Sequence, residues 1–277
     1  MNAVFLRREL ERFLLEDLGS VEVDGSANNY CRGTIVAEAP GIMCGGPFVA
    51  ELFKLLATNG LPTDIVDVRR EEGNTFPSGA DLVRLNLPAE ILRHGIRTVL
   101  NLLQHLMGIA THTEQLVRRM DVTDCQLLDT RKTTPGLRAF EKYAVRTGGG
   151  KNHRFGRYDG VMIKKEDLAF DGGVTRAIDR ALASAAHLSC VEIEVESLDV
   201  LEDVLKDGRV RHVLLDNMTP ELVRQCVERT VGERMVLEAS GIKVEDLEVY
   251  AETGVPFIST SDLIRGARPL PMRFKPA

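Results

Sequence analysis

Residues 191–217, VEIEVESLDVLEDVLKDGRVRHVLLDN, contain two short apolar strands separated by an amphipathic helix. Val191–Val195 and Val213–Leu215 have the length and the β-branched composition of strands. Between them, Leu198–Lys206 has apolar residues at helical spacing. A strand, a helix and a second strand at this spacing are typical of parallel strands joined by a crossover helix.

The same alternation extends in both directions, from Cys125 to about residue 258. The predicted strands are Gln126–Leu128, Val161–Ile163, Val191–Val195, Val213–Leu215, Met235–Leu237 and Phe257–Ile258. The predicted helices are Leu137–Arg146, Val174–His187, Leu198–Lys206, Pro220–Thr230 and Val244–Thr253. Six strand–helix units are close to what a closed barrel needs, so we predict a parallel α/β-barrel catalytic domain over residues 111–266.

The first 110 residues have a different pattern, which predicts a small α/β domain over residues 1–110. The predicted helices are Asn2–Leu18 and Pro47–Thr58, and the predicted strands are Thr34–Ala37, Ile65–Val68 and Leu82–Leu87. A long helix from Glu90 to Met120 follows, with a possible break near Gly108. We expect the C-terminal tail, residues 267–277, to pack back on this first domain.

Composition limits the class of protein. The chain has 277 residues, 44% of them hydrophobic, which is enough for a sizeable core, and a net charge of −6, which disfavours general nucleic-acid binding. Five cysteines without a C-x-x-C pair indicate a reducing compartment. The charged N-terminus and the lack of a long apolar run predict a soluble, cytoplasmic protein that does not bind membranes.

A polar or charged residue lies at or just after the end of each predicted barrel strand. These residues are Asp129, Lys164, Glu194, Asp216, Glu238 and Ser259. In a parallel barrel the C-terminal strand ends meet at one mouth, so we expect these groups to share a pocket. Because loops are generally polar, one or two polar strand ends are expected by chance, but chance explains all six less well. For Glu192, Glu194 and Glu196, the alternative is one polar face of an edge strand, which alternation alone would produce.

The densest cationic cluster is Asp129-Thr-Arg-Lys-Thr-Thr134, followed by Lys151-Asn-His-Arg154 after three glycines, and by Lys164. Arginine binds carboxylate and phosphate in bidentate fashion, and lysine adds a point charge. The alternative is a solvated basic loop. Ser240-Gly241 precedes a predicted helix and can bind phosphate through backbone N–H groups, or Ser240 can be an ordinary N-cap.

These residues resemble a known family, the quinolinate phosphoribosyltransferases. The resemblance covers roughly residues 90–265 and is most specific at the first cluster. The motifs that carry it are Leu100-Asn-Leu-Leu-Gln104, Asp129-Thr-Arg-Lys-Thr-Thr-Pro-Gly-Leu-Arg138, Glu141-Lys-Tyr-Ala-Val145, Gly148-Gly-Gly-Lys-Asn-His-Arg154, Leu215-Asp-Asn217, Leu237-Glu-Ala-Ser-Gly241 and Tyr250-Ala-Glu-Thr-Gly-Val255.

The resemblance implies an N-terminal open α/β sandwich, an incomplete α/β barrel and an obligate dimer. It implies transfer of phosphoribose from phosphoribosyl pyrophosphate (PRPP) to quinolinate, with loss of CO2, and Mg²⁺ as the accompanying ion. The residues implied to bind the acceptor carboxylates are Arg131, His153, Arg154 and Lys164, with Arg97 entering the neighbouring subunit's site. The residues implied on the donor side are Lys132 for pyrophosphate, Glu194 and Asp216 for ribose and Mg²⁺, and Ser240 and Gly241 for the 5′-phosphate.

The chain departs from the family pattern on the donor side. Lys164-Lys-Glu-Asp167 stands where the family commonly has Lys-Asp-Asn-His, and the Gly-Asp-hydrophobic-Thr signature does not follow Glu16-Asp17. Ser261 replaces a phosphate-binding glycine, and Arg265 replaces a nearby histidine. These changes leave open a related enzyme that acts on another pyridine or aromatic carboxylate. A non-catalytic ligand-binding relative is the third alternative, against which the intact Arg131, Lys132 and Lys164 argue.

Overall fold

The computed structural model describes residues 2–23, 29–57 and 65–277. The α-helices are α1 Ala3–Leu18, α2 Gly46–Leu56, α3 Ala89–Arg119, α4 Arg138–Thr147, α5 Lys165–Asp171, α6 Val174–Ser184, α7 Leu198–Asp207, α8 Pro220–Arg229, α9 Leu247–Ala251 and α10 Asp262–Arg265, with a 3₁₀ turn at Val244–Asp246. The strands are β1 Tyr30–Ala37, β2 Gly41–Ile42, β3 Val66–Val68, β4 Thr75–Phe76, β5 Asp81–Pro88, β6 Gln126–Leu128, β7 Gly160–Ile163, β8 Cys190–Val195, β9 His212–Asp216, β10 Val236–Ser240, β11 Phe257–Ser259 and β12 Met272–Pro276.

The chain forms two compact units, and each contains segments that are distant in sequence. The first unit comprises residues 1–114, 139–149 and 267–277, and the second comprises residues 115–138 and 150–266. Helix α4 therefore belongs almost entirely to the first unit, although it follows the first strand of the second. The domain bounds derived from the sequence, residues 1–110 and 111–266, stay a prediction.

The first unit is built on an antiparallel sheet with the strand order β12-β1-β5-β3. The tail strand β12 pairs with β1 from Gly33↔Pro276 to Ala37↔Met272. Alternating side chains of β1, Ile35 among them, are buried in the core. Two of the predicted strands of this unit lie within β1 and β5, and the third, Ile65–Val68, starts one residue before β3. Helix α2 ends at Leu56, and Thr58, the predicted end, lies outside the described residues.

Helix α3 runs without interruption from Ala89 to Arg119, so the predicted break near Gly108 is wrong. Gly108 lies where the C-terminal tail crosses the helix. A Cβ atom at this position would be 2.2 Å from the carbonyl oxygen of Arg268 and 3.2 Å from Cα of Pro269. The glycine therefore permits close packing of two backbones, and the surrounding contacts outweigh its low helix propensity.

The second unit is a parallel sheet of six strands in the order β6-β11-β10-β9-β8-β7. The sheet ends at β6 and β7, which do not pair with each other; a single bridge joins Leu128 of β6 to Lys151, in the segment before β7. This confirms the incomplete α/β barrel. Strand β8 lies between β7 and β9, so the interpretation of Glu192, Glu194 and Glu196 as the face of an edge strand is wrong.

Three of the differences from the predicted element bounds affect the second unit most. Strand β10 begins at Val236 and extends to Ser240, which places Ser240 in the sheet rather than in the following turn. Helix α6 ends at Ser184 rather than His187, because its buried stripe ends at Ala181 and Leu188 is 94% exposed. The last predicted helix is divided into a 3₁₀ turn and the short α9. Among the described residues, no helix is both long and apolar enough to cross a bilayer.

Candidate active site

The loop after β6 is anchored by Asp129, which is fully buried. Its carboxylate accepts a hydrogen bond of 2.9 Å from the backbone N–H of His153 and one of 2.6 Å from the side-chain amide of Asn152. The backbone N–H of Asp129 donates to the carbonyl of Lys151. Asp129 thus fixes the segment that fills the opening between β6 and β7, and with it the position of His153.

Arg138 holds the two ends of the cationic loop together. Its guanidinium donates to the hydroxyl of Thr133 at 3.0 Å, to the carbonyl of Phe155 at 2.9 Å and to the carbonyl of Arg131 at 3.4 Å. The sequence analysis assigned Arg138 no role beyond the motif. These bonds tie the loop that carries Arg131 to the loop that carries Arg154.

Arg131 has a buried Nε atom to which no described residue offers an acceptor. Arg154 lies close by, and its own guanidinium donates to the carbonyl of Gly160 at 2.9 Å. Burial, and then the charge of Arg131, lower the pKa of Arg154 from its ordinary value. A buried donor without an acceptor, beside a second positive charge, is costly unless an anion binds there.

His153 uses both ring nitrogens within the barrel. Nδ1 accepts a hydrogen bond of 2.7 Å from the backbone N–H of Arg154, so the ring proton is on Nε2. Nε2 then donates to Glu192 at 2.9 Å and lies 3.5 Å from Glu238. In this arrangement the Nε2–H donor of His153 is directed at Glu192 rather than at an open site.

Glu192 and Glu238 face the barrel interior; the sequence analysis expected Glu238 in the shared pocket without giving it a role, and it did not place Glu192 there. Glu238 is 5% exposed, and its Oε1 atom has no hydrogen-bond partner among the described residues. Burial, and then the charge of Glu192, raise the pKa of Glu238 to about 7. The sequence signal for Glu192 is its alternation with Glu194 along β8. The structure adds that β8 has a neighbouring strand on each side.

A cavity of about 510 Å³ lies inside the barrel next to these groups. Its lining includes His153, Arg154, Glu192 and Glu238, together with the first residues of several strands. Its size is within the range for small-molecule sites. The predicted site residues therefore do not all lie at the C-terminal mouth, since Arg154 lines this deeper cavity.

Two lysine–glutamate pairs lie at the C-terminal ends of β7 and β8. Lys164 Nζ is 2.9 and 3.0 Å from the two carboxylate oxygens of Glu194, and Lys165 Nζ is 2.6 Å from Glu196. Helix α5 begins directly after Lys164, whose backbone N–H donates to Asp167. Two predicted site residues, Lys164 and Glu194, are thus paired with each other.

The ends of β9, β10 and β11 meet at the same edge of the sheet. Ser240 pairs in register with Asp216 and with Ser259, whose hydroxyl donates to that of Ser240 at 3.0 Å. Gly241 has a φ of +75°, and a Cβ atom there would be 2.3 Å from Oδ1 of Asn217. The positive φ and the close contact both require glycine, and they leave the backbone after Ser240 accessible.

The remaining predicted residues are more peripheral. Lys132 is exposed in the second unit, Ser261 immediately precedes α10, and Arg265 is exposed at the end of that helix. Arg97 is exposed on α3 and belongs to the first unit.

Within the described parts of the chain, only His153, Glu192 and Glu238 place three ligating side chains within reach of one ion. The Nε2 proton of His153 makes this set a poor metal centre, because a ligating nitrogen must be free of its proton. Glu194 and Asp216, the predicted Mg²⁺ residues, are two carboxylates on neighbouring strands. They offer the oxygen ligands that Mg²⁺ prefers, but too few for a cage made of protein alone.

Known proteins match this chain over nearly its whole length. The family models described as Quinolinate phosphoribosyl transferase, N-terminal domain and C-terminal domain match residues 14–107 and 109–275. A probable nicotinate-nucleotide pyrophosphorylase [carboxylating] of Bacillus subtilis is 37% identical, with 98% of this chain and 93% of the relative covered. The nicotinate-nucleotide pyrophosphorylase [carboxylating] of Mycobacterium leprae is 35% identical, with 95% and 94% covered.

The fold gives the same result. The crystal structure of NadC from Streptococcus pyogenes superposes with a TM-score of 0.89 at 31% identity, covering 99% of this chain and 97% of the other. Both halves of the chain, the antiparallel sheet unit and the parallel barrel unit, are therefore accounted for by one family. This chain belongs to the quinolinate phosphoribosyltransferase family.

Proposed function

We propose that this chain transfers the phosphoribosyl group of PRPP to quinolinate and removes one carboxylate, giving nicotinate mononucleotide, pyrophosphate and CO2 for NAD biosynthesis. The observation that carries the proposal is the buried Nε of Arg131, which has no acceptor in the described chain and lies beside Arg154. Such a pair of guanidiniums suits an anion with more than one negative charge. Quinolinate, a dicarboxylate, has this property.

The acceptor is held by charge. Arg131 and Arg154 provide planar donors for carboxylates, and Lys164 adds a third cation when its pairing with Glu194 is exchanged for a substrate carboxylate. His153 supports this set by fixing the backbone at Arg154 and by donating to Glu192. Its direct binding of a carboxylate, as the family resemblance implies, requires Nε2 to leave Glu192.

PRPP, the donor, would bind at the C-terminal ends of β8, β9 and β10. Glu194 and Asp216 would provide carboxylates for the ribose hydroxyls, and Lys132 would bind pyrophosphate, as the family resemblance implies. The open backbone at Ser240 and Gly241, with Ser261 and Arg265, forms the 5′-phosphate side. The Lys165–Glu196 pair stands next to this side, where the family commonly has an acid. Asp216 lies close enough to contribute to the raised pKa of Lys165.

Mg²⁺ fits these residues as an ion shared with the phosphates of PRPP. Glu194 and Asp216 would supply one or two oxygens, and the phosphates the rest. When bound, Mg²⁺ neutralises charge on the pyrophosphate leaving group. Lys164 and Lys165 already contribute positive charge at these two carboxylates, which favours an ion that arrives with its own anionic ligands.

The reaction then needs position and charge more than a reactive side chain. The ring nitrogen of quinolinate attacks C1′ of the ribose, and the electron pair of the C1′–O bond leaves with pyrophosphate. Lys132 stabilises the departing anion, and the arginines hold the ring in line, which lowers the entropic cost. The ring nitrogen is now positive, so the C2–carboxylate bond breaks and its electron pair stays on C2. No nucleophilic side chain takes part.

A homodimer with shared active sites is part of the proposal. Arg97 is exposed on α3, and its role would be to reach the acceptor pocket of a second copy. A reducing, cytoplasmic setting is supported by five cysteines that are all free in the structure. Mixing inactive Arg97→Ala with inactive Arg131→Ala chains should restore up to about a quarter of the activity, since one site in a mixed dimer would be intact.

The test of the function is an acceptor panel. Purified protein with Mg²⁺ and PRPP is given quinolinate, nicotinate or another pyridine dicarboxylate, and the nucleotide product is identified by mass. We expect product from quinolinate only, with Arg131→Ala inactive and Arg234→Ala, an exposed arginine, fully active. Product from a different acid in place of quinolinate would identify a related enzyme with another acceptor.

A further inference from the structure

Glu238 is a buried carboxyl group for which the reaction described above has no use. It lies on β10, 5% exposed, with Oε1 lacking a hydrogen-bond partner among the described residues. A buried carboxylate oxygen that accepts no hydrogen bond strongly disfavours the ionised form. The same atom is tolerated far better in a neutral carboxylic acid.

The charges around Glu238 also favour its protonated form. Glu192 on β8 is the nearest acid and is held by the Nε2–H of His153, and Asp129 adds a weaker negative charge. Two groups oppose this, the imidazole of His153 and the hydroxyl of Ser259 on β11. Together with burial, these groups raise the pKa of Glu238 to about 7, so much of it carries a proton at neutral pH.

Glu238 also lies at a suitable depth. Side chains two residues apart on a strand share a face, and a strand rises about 3.3 Å per residue, so Glu238 is roughly 7 Å deeper in the barrel than Ser240. At this depth it lines the cavity of about 510 Å³ together with His153 and Arg154. A ring that extends inward from a ribose held at the strand ends would point toward Glu238.

The second half of the reaction requires an acid at this place. After CO2 leaves, C2 of the ring holds an electron pair and must gain a proton before the product is stable. Arginine does not give up its proton, and Lys164 is not among the residues that line the cavity. Of the groups that line the cavity, the protonated Glu238 is the strongest candidate acid.

Resting on the proposed function, we propose that Glu238 is the general acid that protonates C2 of the ring after decarboxylation. The O–H bond of Glu238 breaks, its electron pair stays on the carboxylate, and the proton forms the C2–H bond with the electron pair left by CO2. The carboxylate then regains a proton from water through the interior cavity. Loss of this acid leaves CO2 free to recombine with C2.

The test separates the two halves of the first turnover in Glu238→Gln. Glutamine keeps the shape of the neutral acid and lacks a transferable acidic proton. Rapid-quench reactions with the intact protein, Mg²⁺, PRPP and quinolinate measure pyrophosphate and CO2 over time. We expect pyrophosphate formation within about twofold of the unsubstituted protein and CO2 release slowed by about 100-fold. The phosphoribosylated dicarboxylate should accumulate and be visible by mass.

The controls make each outcome decisive. Glu228→Gln, on the exposed face of α8, should leave both rates unchanged. Glu238→Asp, which retains an acid on a shorter side chain, should give a smaller difference between the two rates and provides the test if the glutamine variant does not fold. Equal slowing of both steps, or normal CO2 release, would overturn the proposal. If the unsubstituted protein makes neither product, it is the proposed function that fails.

Discussion

Replacing Arg131 with methionine should weaken quinolinate binding strongly without destabilising the free protein. Methionine retains the apolar length of the side chain and removes the guanidinium. The Nε atom of Arg131 is buried without an acceptor and lies beside Arg154, so the free protein already bears the cost of an unpaired donor and of like charges.

The expected loss of quinolinate affinity follows from removing one partner of a buried charge pair. Truncating one partner of a buried, hydrogen-bonded charge pair costs 2 to 5 kcal/mol, so about 3 kcal/mol is expected for Arg131 and a substrate carboxylate. That corresponds to roughly a 100-fold rise in the Kd for quinolinate. The free energy of unfolding without ligand should stay the same or rise by up to about 2 kcal/mol, because an unsatisfied donor is removed.

Titration calorimetry with quinolinate and urea unfolding of the free protein measure the two quantities. The matched control is Arg234→Met, which removes an exposed arginine of the same unit and should change neither. A Kd within threefold of the unsubstituted protein would refute the assignment of Arg131 to the acceptor pocket. A loss of more than 2 kcal/mol of stability in the free protein would show that Arg131 has a structural partner instead.

Two further predictions concern stability. Gly241→Ala and Gly232→Ala both place alanine at positive φ, but of these two positions only Gly241 has another atom close to the new Cβ, at 2.3 Å. Urea unfolding should show a loss of about 1 kcal/mol of stability for Gly232→Ala and about 2 to 4 kcal/mol for Gly241→Ala. Equal losses would contradict the observed contact. The second is a pH dependence. The pKa of Glu238 is raised to about 7 in the folded state, above its unfolded value of about 4.3, so the folded state binds more protons between these values and stability falls as pH rises through that window. Relative to Glu238→Gln, the unsubstituted protein should lose on the order of 3 kcal/mol from pH 4.5 to 7, and a constant difference would show that Glu238 is ionised throughout.

The fold was predictable where the pattern is local. Each short apolar run after Cys125 became a parallel strand, because period-two burial and crossover helices leave their mark within about thirty residues. The break near Gly108 was not correctly predicted, since the contact that requires glycine comes from Arg268, far along the chain. The segregation of α4 into the first unit likewise depends on packing that no local pattern records.

The cationic residues of the site could be predicted from the sequence, but the arrangement of its buried acids could not. Arg131, Arg154 and Lys164 follow strands or glycine turns, which are recognisable in sequence. The partnership of His153 with Glu192 and Glu238 depends on the strand order, which leaves only β9 between β8 and β10, and on the loop that brings His153 to both acids. Alternation alone showed that Glu192 shares a face with Glu194, but not whether this face was inside the barrel or in solvent.

The central claim is that one chain both transfers phosphoribose and decarboxylates the acceptor. The direct measurement is the stoichiometry of products when the protein, Mg²⁺, PRPP and quinolinate labelled at the C2 carboxylate react to completion. The account predicts pyrophosphate, labelled CO2 and nicotinate mononucleotide in equal amounts. Pyrophosphate without labelled CO2, or no nicotinate mononucleotide at all, would contradict it.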